Sequence, residues 1–149
     1  MIRWILGGAL ALILVAGGAA AYLWNFGTLT IDGLVGPLGG KGNSTNELSE
    51  IDLGQEIPGM AGYRLRARYI VVKPGGIIRI HSHFGRPAFS YIVNTPVEEY
   101  RSDHDGVILH RQGDLTADND IGQWWRNTST ETAIWYVADI YKAGGNAGE

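Results

Sequence analysis

The sequence predicts an all-β domain, an antiparallel β-barrel, preceded by a single transmembrane α-helix and a glycine-rich linker. Three observations lead to this prediction. An apolar segment opens the chain, a stretch rich in Gly, Ser, Thr and Asn follows it, and short segments of alternating apolar and polar residues come next. Many short alternating segments separated by turns are typical of a β-sandwich or β-barrel. We therefore divide the 149 residues into an anchor (1–26), an extended linker (27–50), a barrel (51–142) and a C-terminal tail (143–149).

The composition excludes several classes of protein. Charged residues make up 18% and hydrophobic residues 45% of the chain, which fits a domain with a buried core and excludes a disordered tail or a coiled coil. The net charge of −3 argues against a nucleic-acid-binding surface, since such surfaces are usually strongly basic. Because the chain has no Cys, it has neither a disulfide framework nor a thiolate metal site.

The first 26 residues carry one charged side chain, Arg3, and then the apolar run Trp4–Trp24. A helix of about 20 residues spans about 30 Å, the thickness of the hydrocarbon core of a membrane. Arg3 precedes the run and the next basic residue is Lys41. The positive-inside rule therefore predicts a single-pass membrane protein with a cytoplasmic N-terminus and the barrel on the other side. In a Gram-negative bacterium this means the inner membrane and a periplasmic barrel. A cleaved secretory signal with its cleavage site at the small residues 19–21 is the alternative.

Small residues line one face of this predicted helix. Gly7, Ala11 and Gly18 fall on one stripe at helical spacing. Stripes of small residues allow another helix to approach closely within lipid. The stripe, together with the linker, therefore predicts contact with the transmembrane helices of a larger complex. Gly and Ala are also common in membrane helices that contact only lipid, and that alternative stays open.

Alternation with a period of two begins at Tyr63. In Tyr63–Val72, apolar and aromatic side chains face one way and three arginines face the other. A turn is predicted at Lys73–Gly76, from its Pro-Gly-Gly sequence. The predicted strands are Tyr63–Val72, Ile77–His83, Phe89–Val93, Val97–Arg101, Val107–His110, Gln123–Asn127 and Ala133–Tyr141.

Two histidines share one face of a predicted strand. His81 and His83 are separated by one residue, so their side chains start about 7 Å apart along the backbone. Imidazoles in this arrangement can converge on one metal ion. The other two histidines are expected to have structural roles, His104 on a solvated turn and His110 at the end of a strand.

The histidine pair belongs to a longer pattern of motifs. They are Pro74-Gly75-Gly76, His81-Ser82-His83, Arg86-Pro87, Tyr91, Gly113-Asp114 and Trp124-Trp125-Arg126-Asn127. In these motifs, from about Ile51 to Tyr141, the sequence resembles the small single-domain bacterial cupins of the RmlC-like jelly-roll family. The resemblance implies a cupin-type antiparallel jelly-roll barrel for the soluble part of the chain.

The resemblance also implies where a metal ligand set would lie. Cupins that bind Fe, Mn, Zn, Ni or Cu usually supply two His, a Glu and a further His from a second motif. Here the Glu position falls in Arg86-Pro87-Ala88, and the position of the further His is Gln123. Two imidazoles alone leave a tetrahedral or octahedral site half empty. We therefore predict that His81, His83 and Gln123 are the remnant of a metal site and that no cofactor is bound.

Two classes of function follow. The first is a membrane-anchored, non-catalytic cupin-domain protein that serves as an accessory or stabilising subunit of a larger bacterial membrane complex, for example a photosynthetic reaction-centre–antenna or respiratory complex. The alternative is a membrane-tethered cupin enzyme of the dioxygenase or isomerase type that depends on a divalent transition metal. A small-ligand sensor that uses the mouth of the barrel is a third candidate, supported by the fold alone.

The charge asymmetry around Trp4–Trp24 makes the topology testable. Protease added to intact spheroplasts should digest residues 51–142, because the barrel is predicted to lie outside the cytoplasm. A cytoplasmic marker protein should stay intact in the same sample. Full protection of the barrel until detergent is added would contradict this orientation.

Overall fold

Ten β-strands and one short helix form residues 27–144, the part of the chain that the computed structural model describes. The elements are β1 (Thr28–Ile31), β2 (Leu34–Pro37), β3 (Lys41–Asp52), α1 (Leu53–Glu56), β4 (Tyr63–Ser82), β5 (Ala88–Ile92), β6 (Val97–Arg101), β7 (Val107–His110), β8 (Leu115–Asp118), β9 (Gly122–Arg126) and β10 (Ala133–Lys142). The predicted anchor lies outside the described residues, as do residues 145–149 of the predicted tail. Among residues 27–144, no helix has the length and apolar character needed to cross a membrane.

Strand β4 organises the sheet. Strands β1 and β2 form a hairpin, and the other strands form one antiparallel sheet in the order β7-β6-β9-β4-β10-β5-β8, with β3 also paired to β4. The first part of β4 pairs with β3 and β10, and its last part pairs with β9. Between these parts Gly75 has a φ of +68°, a conformation that glycine adopts without strain. The sheet therefore curls at this point, and its two halves pack against each other.

The main core lies between the two halves. Trp125 of β9 and Trp135 of β10 are 2% and 1% exposed, and their ring centroids are 5.4 Å apart. The remaining buried side chains of this core are Ile70, Val72, Ala88, Ile92, Val97, Ala133 and Val137. The contact between Trp125 and Trp135 thus joins β9 of one half of the sheet to β10 of the other.

The β1–β2 hairpin covers the outer surface of the other half of the sheet. Its two-residue turn, Asp32-Gly33, has positive φ at both positions, which is the conformation that tight hairpins require. Ile31 and Leu34 of the hairpin pack against a second buried cluster that contains Trp124. The hairpin therefore shields apolar surface that the curled sheet leaves on its convex side.

The all-β antiparallel prediction is confirmed. Val97–Arg101 and Val107–His110 form strands at the predicted bounds. The turn predicted at Lys73–Gly76 is instead a bend within β4. The cause is Asn127, whose backbone pairs with Gly75 and Gly76 and whose side chain donates to the Val72 carbonyl at 2.8 Å.

Two predicted features need correction. They are the linker over residues 27–50 and the start of the barrel at residue 51. The segment forms β1, β2 and most of β3, and β3 pairs with β4 along its length. Most β3 side chains are polar and exposed, so the strand lacks the apolar alternation that a sequence pattern detects. Backbone pairing holds it instead, together with ion pairs from Glu50 and Asp52 to Arg64.

Gly36 sets how closely the hairpin approaches the sheet. A Cβ at this position would lie 2.6 Å from Trp124 Cδ1 and 2.8 Å from Ile80 Cβ. Gly36→Ala should therefore lower the free energy of unfolding by about 1–3 kcal/mol through overpacking, as urea denaturation would measure. Val35→Ala is the matched control, since Val35 is 50% exposed. Equal stability of the two variants would contradict the hairpin packing.

Candidate functional site

A cavity of about 560 Å³ opens on the concave side of the sheet. Its volume lies within the range of small-molecule binding sites. Gly40 and the start of β3 form one wall of the cavity. The prediction of a linker over residues 27–50 did not anticipate that this segment lines a cavity. Its lining comprises the apolar Ile70, Ile78, Trp125, Trp135 and Val137, the cationic Lys41, Arg68, Arg79 and Arg86, and the neutral Gly40, Gly42, Asn43, Ser44, Thr45, His81, His83, Ser90, Gln123.

The structure brings the three predicted site residues together at this cavity. His81 pairs with Gln123 across β4 and β9. The Nε2 atoms of His81 and His83 are 3.2 Å apart, and Gln123 Nε2 lies 2.9 Å from His83 Nε2 and 3.4 Å from His81 Nε2. The three side chains therefore form one polar cluster. That the cluster is the remnant of a metal site stays a prediction.

Backbone carbonyls fix the orientation of both imidazoles. His81 Nδ1 lies 2.9 Å from the Arg79 carbonyl oxygen, and His83 Nδ1 lies 3.0 Å from the Arg86 carbonyl oxygen. A carbonyl oxygen only accepts hydrogen bonds, so each Nδ1 carries the proton and each Nε2 presents a lone pair. Burial lowers the pKa of each histidine to about 4, and the positive charge of Arg86 adds to the effect. Both imidazoles are therefore neutral acceptors near pH 7.

Beneath the histidines lies a buried cluster of three arginines and one carboxylate. Asp139 is 0% exposed and accepts hydrogen bonds from Arg66 at 2.9 and 3.1 Å and from Arg68 at 3.1 Å. Arg86 NH1 lies 3.7 Å from the same carboxylate. Burial raises the pKa of Asp139, but the hydrogen bond from Arg66 and the charges of the arginines together hold it below its ordinary value. The four side chains carry an excess of positive charge, and Arg68 and Arg86 also line the cavity.

Sequence reasoning missed this arginine cluster. The alternation in β4 is confirmed, but its arginine face is the inner one, with Arg66 and Arg68 each 8% exposed while Ala67 faces solvent. Charged residues are almost never fully buried unless they are paired. The signal that could have found the cluster is the single Asp139 at an inward position of β10, directly opposite Arg66.

A second set of buried polar side chains surrounds the carboxylates of Glu99 and Asp118. Glu99 is 0% exposed and accepts a hydrogen bond from His110 at 2.7 Å. Asp118 is 1% exposed and accepts from Arg101 at 3.1 Å and from Ser90 at 3.3 Å. Burial raises the pKa of both Glu99 and Asp118. Of this group only Ser90 lines the cavity, so the two carboxylates do not face it.

The donors at the cavity do not fit a resident transition metal. Two imidazole nitrogens converge, but Gln123 presents its NH₂ group to them and Arg86 occupies the region where the resemblance expects Glu. In residues 27–144 no group of three or more His, Cys, Asp or Glu side chains is placed to hold a metal ion. The surrounding arginines also disfavour a further cation.

Comparison with solved structures identifies the fold. The chain is similar to a predicted oxalate decarboxylase from Thermotoga maritima (18% identity, 68% of this chain and 84% of that chain, TM-score 0.55). It is also similar to an RmlC-like cupin with a double-stranded β-helix fold from Methanocaldococcus jannaschii (12%, 68% and 79%, 0.50). A polyketide cyclase from Streptomyces resistomycificus is similar too (16%, 68% and 67%, 0.54). The domain therefore has a cupin fold, as the motifs predicted.

Sequence comparison adds nothing to this assignment. No protein-family model matches the chain, and no curated protein sequence matches it. The likeness to solved structures lies below 20% identity for all three proteins, so it establishes the fold and not the chemistry.

Replacing Asp139 tests the arginine cluster. Asp139→Asn leaves three buried guanidinium groups without their carboxylate, so the free energy of unfolding at pH 7 should fall by about 3–5 kcal/mol in urea denaturation. The pKa of Asp139 is lowered in the folded state, so its contribution is present above about pH 4 and is lost as the pH falls through the folded-state pKa. The difference in the free energy of unfolding between wild type and Asp139→Asn should therefore become smaller as the pH is lowered.

Asp105→Asn is the matched control, since Asp105 lies on an exposed turn. A loss for Asp139→Asn no larger than for this control would contradict the role of the buried carboxylate.

Proposed function

We propose that this cupin domain binds a small organic anion, a carboxylate with an apolar body, without a resident metal ion. One observation carries the proposal: four cationic side chains and no carboxylate line the cavity among the described residues. A cavity with low-dielectric walls and charges of one sign concentrates ligands of the opposite sign.

The buried arginines supply both the charge and the rigidity that an anion site needs. Arg66 pairs with both Asp139 and Glu47, while Arg68 and Arg86 also line the cavity, where no carboxylate of the described residues lies. The planar guanidinium group matches a carboxylate in geometry and binds it with charge-assisted hydrogen bonds. Side chains held in place before binding lose little conformational entropy when the ligand arrives.

The apolar side of the cavity indicates the rest of the ligand. Ile70, Val137 and the two core tryptophans form the apolar part of the cavity lining. Apolar and aromatic walls with a few placed polar groups are typical of small-molecule sites. An inorganic anion would leave this apolar surface unfilled, so an organic acid fits better.

The solved neighbours leave the ligand open. One of them is described as a predicted oxalate decarboxylase, a name that implies a carboxylate substrate, and another as a polyketide cyclase. Folds host many functions, so the proposal stands on the cavity of this chain and not on these names.

We also propose that the domain stands on the periplasmic side of the bacterial inner membrane, held by residues 1–26. The apolar run and its single preceding charge support this location. The stripe of Gly7, Ala11 and Gly18 supports contact with the transmembrane helices of a larger complex, in which the chain serves as a ligand-binding accessory subunit. All of these residues lie outside the described part of the chain.

Calorimetric titration of the full chain in detergent, with chelator present, tests anion binding. Phenylacetate should bind about tenfold more tightly than phenylacetamide, its uncharged analogue of similar shape, because hydrogen bonds to a charged group are the stronger ones. Arg79→Gln should weaken phenylacetate binding, since Arg79 lines the cavity and its side chain is exposed.

Arg111→Gln is the matched control, because Arg111 is exposed and lies outside the cavity lining. Equal affinity for the acid and the amide would overturn the proposal.

A further inference from the structure

We infer that the anion is a hydroxy acid whose hydroxyl group donates a hydrogen bond to the His81–Gln123 side of the cavity while its carboxylate faces the arginines. This inference rests on the proposed function, since it names the class of anion that the same cavity selects.

Two acceptors at the cavity call for a donor. His81 Nε2 presents a lone pair, and its nearest polar side-chain neighbours are His83 Nε2 at 3.2 Å, also an acceptor, and Gln123 Nε2 at 3.4 Å. The Gln123 amide makes its shorter contact, 2.9 Å, with His83. Gln123 Oε1 has no hydrogen-bond partner within residues 27–144, but this atom is fully buried, so a ligand in the cavity meets the half-buried His81 instead. Buried acceptors without a donor are costly, so a ligand that brings a donor here is favoured.

The charge of the surroundings decides which donor fits. An ammonium group also donates, but Arg68 and Arg86 line the same cavity and would repel it. A second carboxylate supplies only acceptors and would face the lone pairs of the imidazoles. A hydroxyl group donates without carrying charge, and it is therefore the group that suits this side of the cavity.

The two subsites are close to each other. Arg86 NH2 donates to the Ser82 carbonyl oxygen at 3.4 Å, and Ser82, the last residue of β4, lies between the two histidines in the sequence. The Arg86 carbonyl in turn accepts from His83. Because this guanidinium lies beside the histidine pair, the carboxylate and the hydroxyl of the ligand must be near neighbours. A 2-hydroxy or 3-hydroxy acid meets this requirement.

Three ligands of matched shape test the inference by calorimetric titration of the full chain in detergent with chelator. They are mandelate, phenylacetate, which lacks the hydroxyl, and 2-methoxy-2-phenylacetate, the O-methyl ether of mandelate, in which the oxygen cannot donate. Mandelate should bind about threefold to tenfold more tightly than phenylacetate, the gain expected from one hydrogen bond. The methoxy acid should gain nothing over phenylacetate.

A variant locates the preference within the protein. His81→Phe removes the acceptor, so mandelate and phenylacetate should bind it equally. His104→Phe is the control, since His104 is exposed on a turn outside the cavity lining, and it should keep the preference. The wild-type comparison of the three acids needs no variant, so it decides the matter if His81→Phe does not fold.

The outcomes separate the two proposals. If both acids bind more tightly than phenylacetamide but mandelate has no advantage, the hydroxy-acid inference is wrong and anion binding stands. If neither acid binds more tightly than the amide, anion binding itself is overturned and the inference with it. The inference would also be overturned if mandelate were preferred without chelator and not preferred with it. A metal ion, and not the side chains, would then recognise the hydroxyl.

Discussion

The rest of the site depends on the hydrogen bonds that the Asp139 carboxylate accepts from buried arginines. This carboxylate accepts from Arg66 and Arg68 and lies 3.7 Å from Arg86, so it joins β10, β4 and the segment before β5 at one buried point. Without it, Arg66 and Arg68 would lose the buried carboxylate that they share, and removing one partner of a buried ion pair is strongly destabilising. With it, three cations stay beneath the cavity around one buried carboxylate, and the exposed Glu47 lies 4.0 Å from Arg66.

Burial and the charges of the neighbouring arginines together account for the neutral state of the histidines. Burial is the main cause of their lowered pKa values, and the arginine charges act in the same direction. Neutral imidazoles with Nδ1 bonded to backbone carbonyls are an arrangement that metal sites also use. Here the neighbouring groups are guanidinium and amide instead of carboxylate and imidazole. The same fold geometry thus presents acceptors and positive charge, which suit an anionic ligand that carries a hydroxyl.

Alternation along the sequence predicted the antiparallel fold and placed His81 and His83 on one face of a strand, because alternation is a local feature. The resemblance to cupins, and not the alternation, placed Gln123 with them. The sequence did not predict β3, since an edge strand with polar, exposed side chains is held by backbone pairing and ion pairs that no periodicity reports. Nor did it predict β8, whose four residues alternate over too short a length. The inward face of β4 was missed because buried arginines are understood only together with Asp139, 71 and 73 residues away.

The central claim is that the cavity is an anion site and not a metal site. A crystal structure of the full chain with 4-bromophenylacetate tests it most directly, because anomalous scattering locates the bromine and fixes the orientation of the ligand. The account predicts the carboxylate within hydrogen-bond distance of Arg68 or Arg86 and the bromine against the apolar wall. A metal ion held by His81 and His83, with the acid bound to it or absent from the cavity, would contradict the account.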